Sequence, residues 1–148
     1  MPTYRVATDI AVPPQAAYDA VADLTGHPVW AADPIEVTPV DDAPVVAGKR
    51  YRSTATSKGK TFTADLVVTE HQPPERFAFT ATDATGCYQH RFTVSPTPAG
   101  CRVEREIHGD LTTSQRLLFA LVYLPVKRPN AKKAMGRLRA LLEAPSNE

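Results

Sequence analysis

His90 and Arg105 are the residues of this sequence best placed to do chemistry. They stand in two consecutive alternating runs: Tyr88, His90, Phe92 and Val94 share one face of the first, and Cys101, Val103, Arg105 and Ile107 share one face of the second. Alternation with period two marks a half-buried strand. If Val94 pairs with Cys101 across a loop at residues 95–100, Phe92 opposes Val103, His90 opposes Arg105 and Tyr88 opposes Ile107. Directly opposed residues point to the same face. An arginine among apolar neighbours needs a partner, because an unpaired charge away from water is costly. One reading makes Arg105, with Tyr88 and His90, the anchor for a carboxylate, phenolate or carbonyl of an otherwise apolar ligand. The other pairs Arg105 with an acid such as Asp65, or has a bulge turn it outward. Glu104 and Glu106 fall on the opposite, solvated face.

Other reactive constellations are missing. His27, His71, His90 and His108 lack helical or Cys/His metal spacing, and there is no CxxC, so no metal site and no cofactor are expected. No GxSxG, phosphate loop or dinucleotide glycine motif occurs. Cys87 and Cys101 lie at opposite ends of their strands in the register above. That is about seven residues, or roughly 20 Å at ~3.3 Å per residue, and a disulfide needs Cα atoms within about 7 Å. Both are expected as free thiols of a reduced cytoplasmic protein.

Composition narrows the class. A chain of 148 residues with 43 % hydrophobic content suits one globular domain, here 1–143 with a frayed tail at 144–148. A net charge of +1 from 17 basic and 16 acidic residues argues against a broad nucleic-acid surface. No apolar run is long enough to span a bilayer, and no signal peptide is visible.

The elements that would position the site follow from the pattern. Residues 4–12 alternate as a strand, and Pro13-Pro14 then open a helix over 15–24 with Gly26 as its stop. A short turn, His27-Pro28-Val29-Trp30, carries the only tryptophan. Residues 35–40 read as an edge strand because Pro34 and Pro39 forbid a central place. Strands follow at 49–58, 61–71 (Phe62, Ala64, Leu66 and Val68 inward), 76–82 (Phe77, Phe79 and Ala81 on one face), 87–94 and 101–108, with a hairpin turn at Gly59-Lys60. The last third is helical in two pieces. Thr112 and Gln115 have the form of a capping box. Pro125 must stop or kink the first piece near Leu124, and Pro129 marks the start of the second. Leu117, Leu118, Leu121 and Val122 are spaced as one stripe, and Ala131, Ala134, Met135, Leu138, Leu141 and Leu142 as another. Strands in succession with helices on one face give an α+β fold.

This layout resembles the helix-grip superfamily of START domains, the birch-pollen allergen and polyketide cyclase/dehydrase-like proteins. The carriers are residues 9–14 running into a helix, the His27-Pro28-Val29-Trp30 turn, Gly48-Lys49-Arg50-Tyr51, residues 70–76 between strands, and the closing Leu138-Arg139-Ala140-Leu141-Leu142-Glu143. The resemblance implies a curved antiparallel sheet of about six to seven strands wrapped around a long, proline-kinked C-terminal helix, with an apolar cavity between them. It also implies a hydrophobic ligand, lipid or polyketide-like, and in some members cyclisation chemistry. Fold alone does not choose among these.

The expected ligand-binding wall is Trp30, Tyr51, Phe62, Leu66, Phe77, Phe79, Tyr88, His90, Phe92, Arg105, Leu121 and Met135. Phe119 and Tyr123 are candidates for an entrance or a dimer contact. The first reading is a carrier or sensor, monomer or homodimer. The alternative is a cyclase, aromatase or dehydratase with His90 as general acid/base and Arg105 stabilising enolate charge. A third is lipid transfer or complex assembly. In that reading Arg116, Lys127, Arg128, Lys132, Lys133, Arg137 and Arg139 make a basic surface for peripheral membrane contact, against the plainer view of a solvated helix face.

Overall fold

The computed structural model describes residues 3–31, 35–57, 59–84, 86–110, 112–118, 121 and 124–144. Side chains at 3, 4, 57, 110, 115, 116, 118, 124–128 and 130 lie outside what it describes, so the expected Thr112–Gln115 cap and the Phe119 and Tyr123 roles fall there.

Seven strands form one antiparallel sheet in the order β1-β7-β6-β5-β4-β3-β2. They are β1 (Thr3–Ile10), β2 (Ile35–Pro39), β3 (Arg50–Ser57), β4 (Lys60–Gln72), β5 (Arg76–Asp83), β6 (Gly86–Thr97) and β7 (Gly100–Asp110). Helix α1 (Pro14–Ala22) follows β1, and α2 (Thr113–Leu118) and α3 (Leu124–Glu143) close the chain. This is the helix-grip arrangement. β2 is an edge, as its proline requires: Pro39 pairs with Tyr51 on one side and has no strand on the other.

Local chemistry explains the helix ends. Pro14 sits at the first helical position of α1, where a missing N–H leaves no bond unmade, and the Pro13 carbonyl accepts from the Ala16 N–H at 3.0 Å. Ala17, Tyr18, Val21 and Ala22 make its buried stripe against β5, β6 and β7. The helix ends two residues earlier than its sequence pattern suggests. The chain tightens instead into a 3₁₀ segment, Leu24–Val29, that carries Gly26, His27 and Pro28. α3 begins at Leu124 with Pro125 in its first turn, where a missing N–H leaves no bond unmade, and Pro129 lies within α3 rather than at its start.

α3 packs along β1 with Ala131, Ala134, Met135 and Leu138 buried. Leu141 does not continue that stripe and is exposed, with Leu142 half-buried. The C-terminal end of α3 is tied back to the strand: the Ala11 N–H donates to Glu143 Oε2 at 3.2 Å.

One register differs from expectation. Val94 pairs with Val103, Phe92 with Arg105, His90 with Ile107 and Tyr88 with Gly109. The hairpin is tighter than a loop at 95–100, since Thr97 pairs with Gly100. Gly100 is required there, because a Cβ would collide with the carbonyl oxygen of Ile10. The slip is two residues, so every side chain keeps its face. The irregularity in the sheet lies in β4, between Val68 and Glu70, and leaves β7 regular. Both cysteines are free, as Cys87 pairs with Asp110 and Cys101 with Pro96.

Packing of α3 sets a testable contrast. Leu138 is fully buried, whereas Arg139 is exposed and only meets Glu143 one turn on, at 3.0 Å. In urea melts Leu138→Ala should lose about 2–5 kcal/mol through lost transfer energy and a cavity. Arg139→Ala should lose less than about 0.5 kcal/mol. Equal losses would mean that α3 does not pack on β1 through Leu138.

Candidate functional site

The concave face of β5, β6 and β7 is built in rows. Phe77, Phe92 and Arg105 form one row and Phe79, His90 and Ile107 the next. Period-two alternation puts all six on one side of the sheet. Most of this face is fully buried, but His90 and Arg105 are only half-buried.

His90 and Arg105 are diagonal rather than directly opposed, and they still meet. Arg105 Nη2 lies 3.1 Å from His90 Nδ1. A guanidinium has only donors, so Nδ1 accepts and the ring proton of His90 sits on Nε2. The same guanidinium carbon stands 5.2 Å above the Phe92 ring, a cation–π contact. The His90 ring stacks on Phe79 at 4.7 Å and 3°. Asp65, the acid that could have neutralised Arg105, instead faces Arg52 at 3.4 Å on the exposed side.

The 3₁₀ segment covers this face. Trp30 packs edge-on to Phe92 at 6.3 Å, and His27 lies 4.4 Å from Trp30. The His27 ring also meets Phe79 and Phe92 edge-on, at 6.1 and 6.0 Å. Its Nε2 is 2.8 Å from the Val21 carbonyl oxygen. A carbonyl can only accept, so His27 donates from Nε2 and keeps its lone pair on Nδ1. Burial pushes its pKa down to about 4, and the Arg105 charge adds to the depression, while the Val21 carbonyl opposes it. Sequence reasoning placed His27 only in a turn. Nothing in the spacing shows that its ring folds under Trp30, because a 3₁₀ turn has no apolar period to read.

A second histidine is fixed the other way. Tyr18 donates its hydroxyl to the Arg76 carbonyl at 2.9 Å, so His71 Nδ1, 2.7 Å from the same hydroxyl, must be the donor. Burial raises the Tyr18 pKa to about 12. Sequence reasoning missed this pair, since its members are 53 residues apart.

The remaining expected wall residues divide. Trp30, Tyr51, Leu66, Phe77, Phe79, Tyr88 and Phe92 are buried in the same core, with Tyr51 on β3 beneath Lys49. Met135 is buried too, on α3 beside β1. Phe62 is half exposed at 50 %, near the start of β4, and Leu121 is exposed. A groove of about 500 Å³ also runs between β1 and α3, lined by Arg5, Val6, Lys132, Met135 and their neighbours. Among the described residues no cluster of three His, Cys, Asp or Glu could hold a metal ion, and no helix is long and apolar enough to cross a membrane.

Solved structures share this fold. The protein TTHA0849 from Thermus thermophilus aligns over 99 % of this chain and 100 % of its own with a TM-score of 0.77 at 23 % identity. CV1439 from Chromobacterium violaceum aligns over 97 % and 99 % with a TM-score of 0.76 at 19 % identity. Ara h 8.0201 aligns over 95 % and 97 % with a TM-score of 0.70 at 15 % identity. No curated protein matches the sequence. A family model described as polyketide cyclase / dehydrase and lipid transport matches residues 1–143.

His27 gives a pH signature. Its folded pKa lies below that of an unfolded histidine, so between pH about 6.5 and about 4 the unfolded chain binds the extra proton. Stability is therefore full above pH about 6.5 and falls as the pH drops towards 4. The loss is on the order of 3 kcal/mol from this residue. Urea melts at stepped pH should show it, and His27→Gln, which can still donate to Val21, should flatten the profile. An unchanged acid slope in that variant would remove His27 as the cause.

Proposed function

This chain belongs to the polyketide cyclase / dehydrase and lipid transport family, and on that premise we propose that it binds a hydrophobic or aromatic small molecule between the sheet and the C-terminal helix. Arg105 and His90 hold the carboxylate, phenolate or carbonyl end of that ligand, and the buried aromatics of β5 and β6 supply the apolar wall. Residues 1–143 act as one binding unit. Two free thiols accord with a reducing cytoplasm.

One observation carries the reading. β6 and β7 have strands on both sides, and Phe92, Val94 and Val103 around the pair are fully buried. His90 and Arg105 on the same concave face nevertheless keep partial exposure. A side chain there stays accessible only where the covering segments leave space before it. An apolar space with a few convergent polar groups is the usual form of a small-molecule site.

The tautomers favour binding over catalysis. His90 Nδ1 accepts from Arg105, which places the ring proton on Nε2. His90 Nε2 and the guanidinium beside it are both donors. Two donors suit an anionic or carbonyl oxygen. A cyclase, aromatase or dehydratase would ask His90 to take up and release protons, for which its Nδ1 is already occupied.

The test is competition against an environment-sensitive apolar dye, expected to bind about one per chain. Arg105→Met should weaken displacement by fatty or aromatic acids by about 1.5–3 kcal/mol, the worth of a charge-assisted hydrogen bond, and leave neutral analogues almost unchanged. His90→Gln should change affinity only mildly, since glutamine can still donate. No saturable dye binding would end the ligand reading, and equal loss for acids and neutral analogues would end the anchor role of Arg105.

A further inference from the structure

We infer that the last third of the chain docks on an anionic lipid surface, with Leu117 and Leu121 entering the interface and the outward stripe of α3 facing the headgroups. Charge is the first observation. Residues 111–142 contain seven of the 17 basic residues and no Asp or Glu, which leaves ten basic residues against all 16 acidic ones elsewhere. A chain of net charge +1 is therefore strongly polarised along its sequence, with six of those seven basic residues in α3 and Arg116 in α2.

The second observation is where these residues stand. On α3, Lys132, Lys133 and Arg137 are exposed, opposite the buried Ala131, Ala134, Met135 and Leu138. Lys133 stands furthest from β1, while Lys132 reaches the rim of the groove between β1 and α3. Arg137 is held in place, as its Nη1 donates to the Ala31 carbonyl oxygen. The third observation is apolar. Leu117 in α2 and Leu121 just after it are 62 % and 69 % exposed, among the largest exposures of any bulky apolar residue described. They are four residues apart, and no charged residue lies between them in sequence.

Charge complementarity selects the occupant. An acidic partner would be held by the lysines alone, and it gives no reason for two bare leucines in the same basic stretch of sequence. An interfacial surface takes both: apolar side chains enter the acyl boundary while Lys and Arg lie at the headgroup level. Docking there would also set the helices beside the proposed cavity against the membrane from which an apolar ligand would come. The lipid contact itself does not depend on that ligand reading.

Flotation with large unilamellar vesicles tests it. The full chain should float with phosphatidylcholine vesicles containing phosphatidylglycerol, remain behind with phosphatidylcholine alone, and be released by high salt, since surface charge is screened. Lys133→Glu should lower the partition by at least about fivefold, the worth of one lysine lost at an anionic surface. It should keep the dye binding described above, which separates a failure of docking from a failure of the ligand site. Leu117→Ser/Leu121→Ser should weaken vesicle binding without moving the melting temperature, because both side chains are exposed. Absence of binding to anionic vesicles at low salt overturns the inference. So does binding that the lysine variant abolishes and the leucine variant leaves intact, which would assign the surface to an acidic macromolecule instead.

Discussion

A guanidinium on the concave face of an inner strand has to be compensated, and the inner surface of this sheet is arranged around that demand. Moving a charge from water into an apolar place costs several kcal/mol even after the protein relaxes. The contacts described for Arg105 include a neutral acceptor, His90 Nδ1, and the face of Phe92. Both are soft compensations, since neither carries a full negative charge. An incoming anionic or carbonyl oxygen would add to them rather than compete with them.

The neighbouring groups keep that charge from being duplicated. Arg105 donates to His90 Nδ1, which therefore carries the lone pair. His27, also on this face, is held neutral by its burial and by the same guanidinium. An acid of β7 points the other way: Glu106 faces Arg5 at 2.9 Å on the convex side. Two histidines and an arginine thus lie within one aromatic cluster. Phe79 and Phe92 do the spacing, each placed between a histidine and its neighbour.

The covering layer is uneven, and its unevenness matters for access. α1 lies over the central strands, the 3₁₀ segment brings His27 and Trp30 over Phe92, and α3 runs along the edge strand β1. Pro125 stands in the first turn of α3, a place that tolerates proline, and α2 ends at Leu118. Small residues at Ala131 and Ala134 let α3 approach β1 closely, while its lysines remain in solvent.

Much of this was written in the chain itself. Alternation in β4 to β7, the prolines at Pro13-Pro14 and Pro39, and the stripe from Ala131 to Leu138 fix which face of each element is apolar, because side-chain direction follows backbone period alone. Those local rules placed His90 and Arg105 on one inner face, and an error of two residues in their register could not move them off it. Local rules stop where contacts come from distant sequence. That Arg105 meets His90 diagonally was set by a tight hairpin whose glycine lies against the end of β1, and that His27 lies under Trp30 was set by a turn without period. Phe62 looked inward by alternation and is half exposed, near the start of β4. Which polar groups are neutral, which nitrogen carries each proton, and which leucines are left bare are properties of packing. Burial and hydrogen-bond partners exist only once separate elements have met, and so the tertiary structure alone decided them.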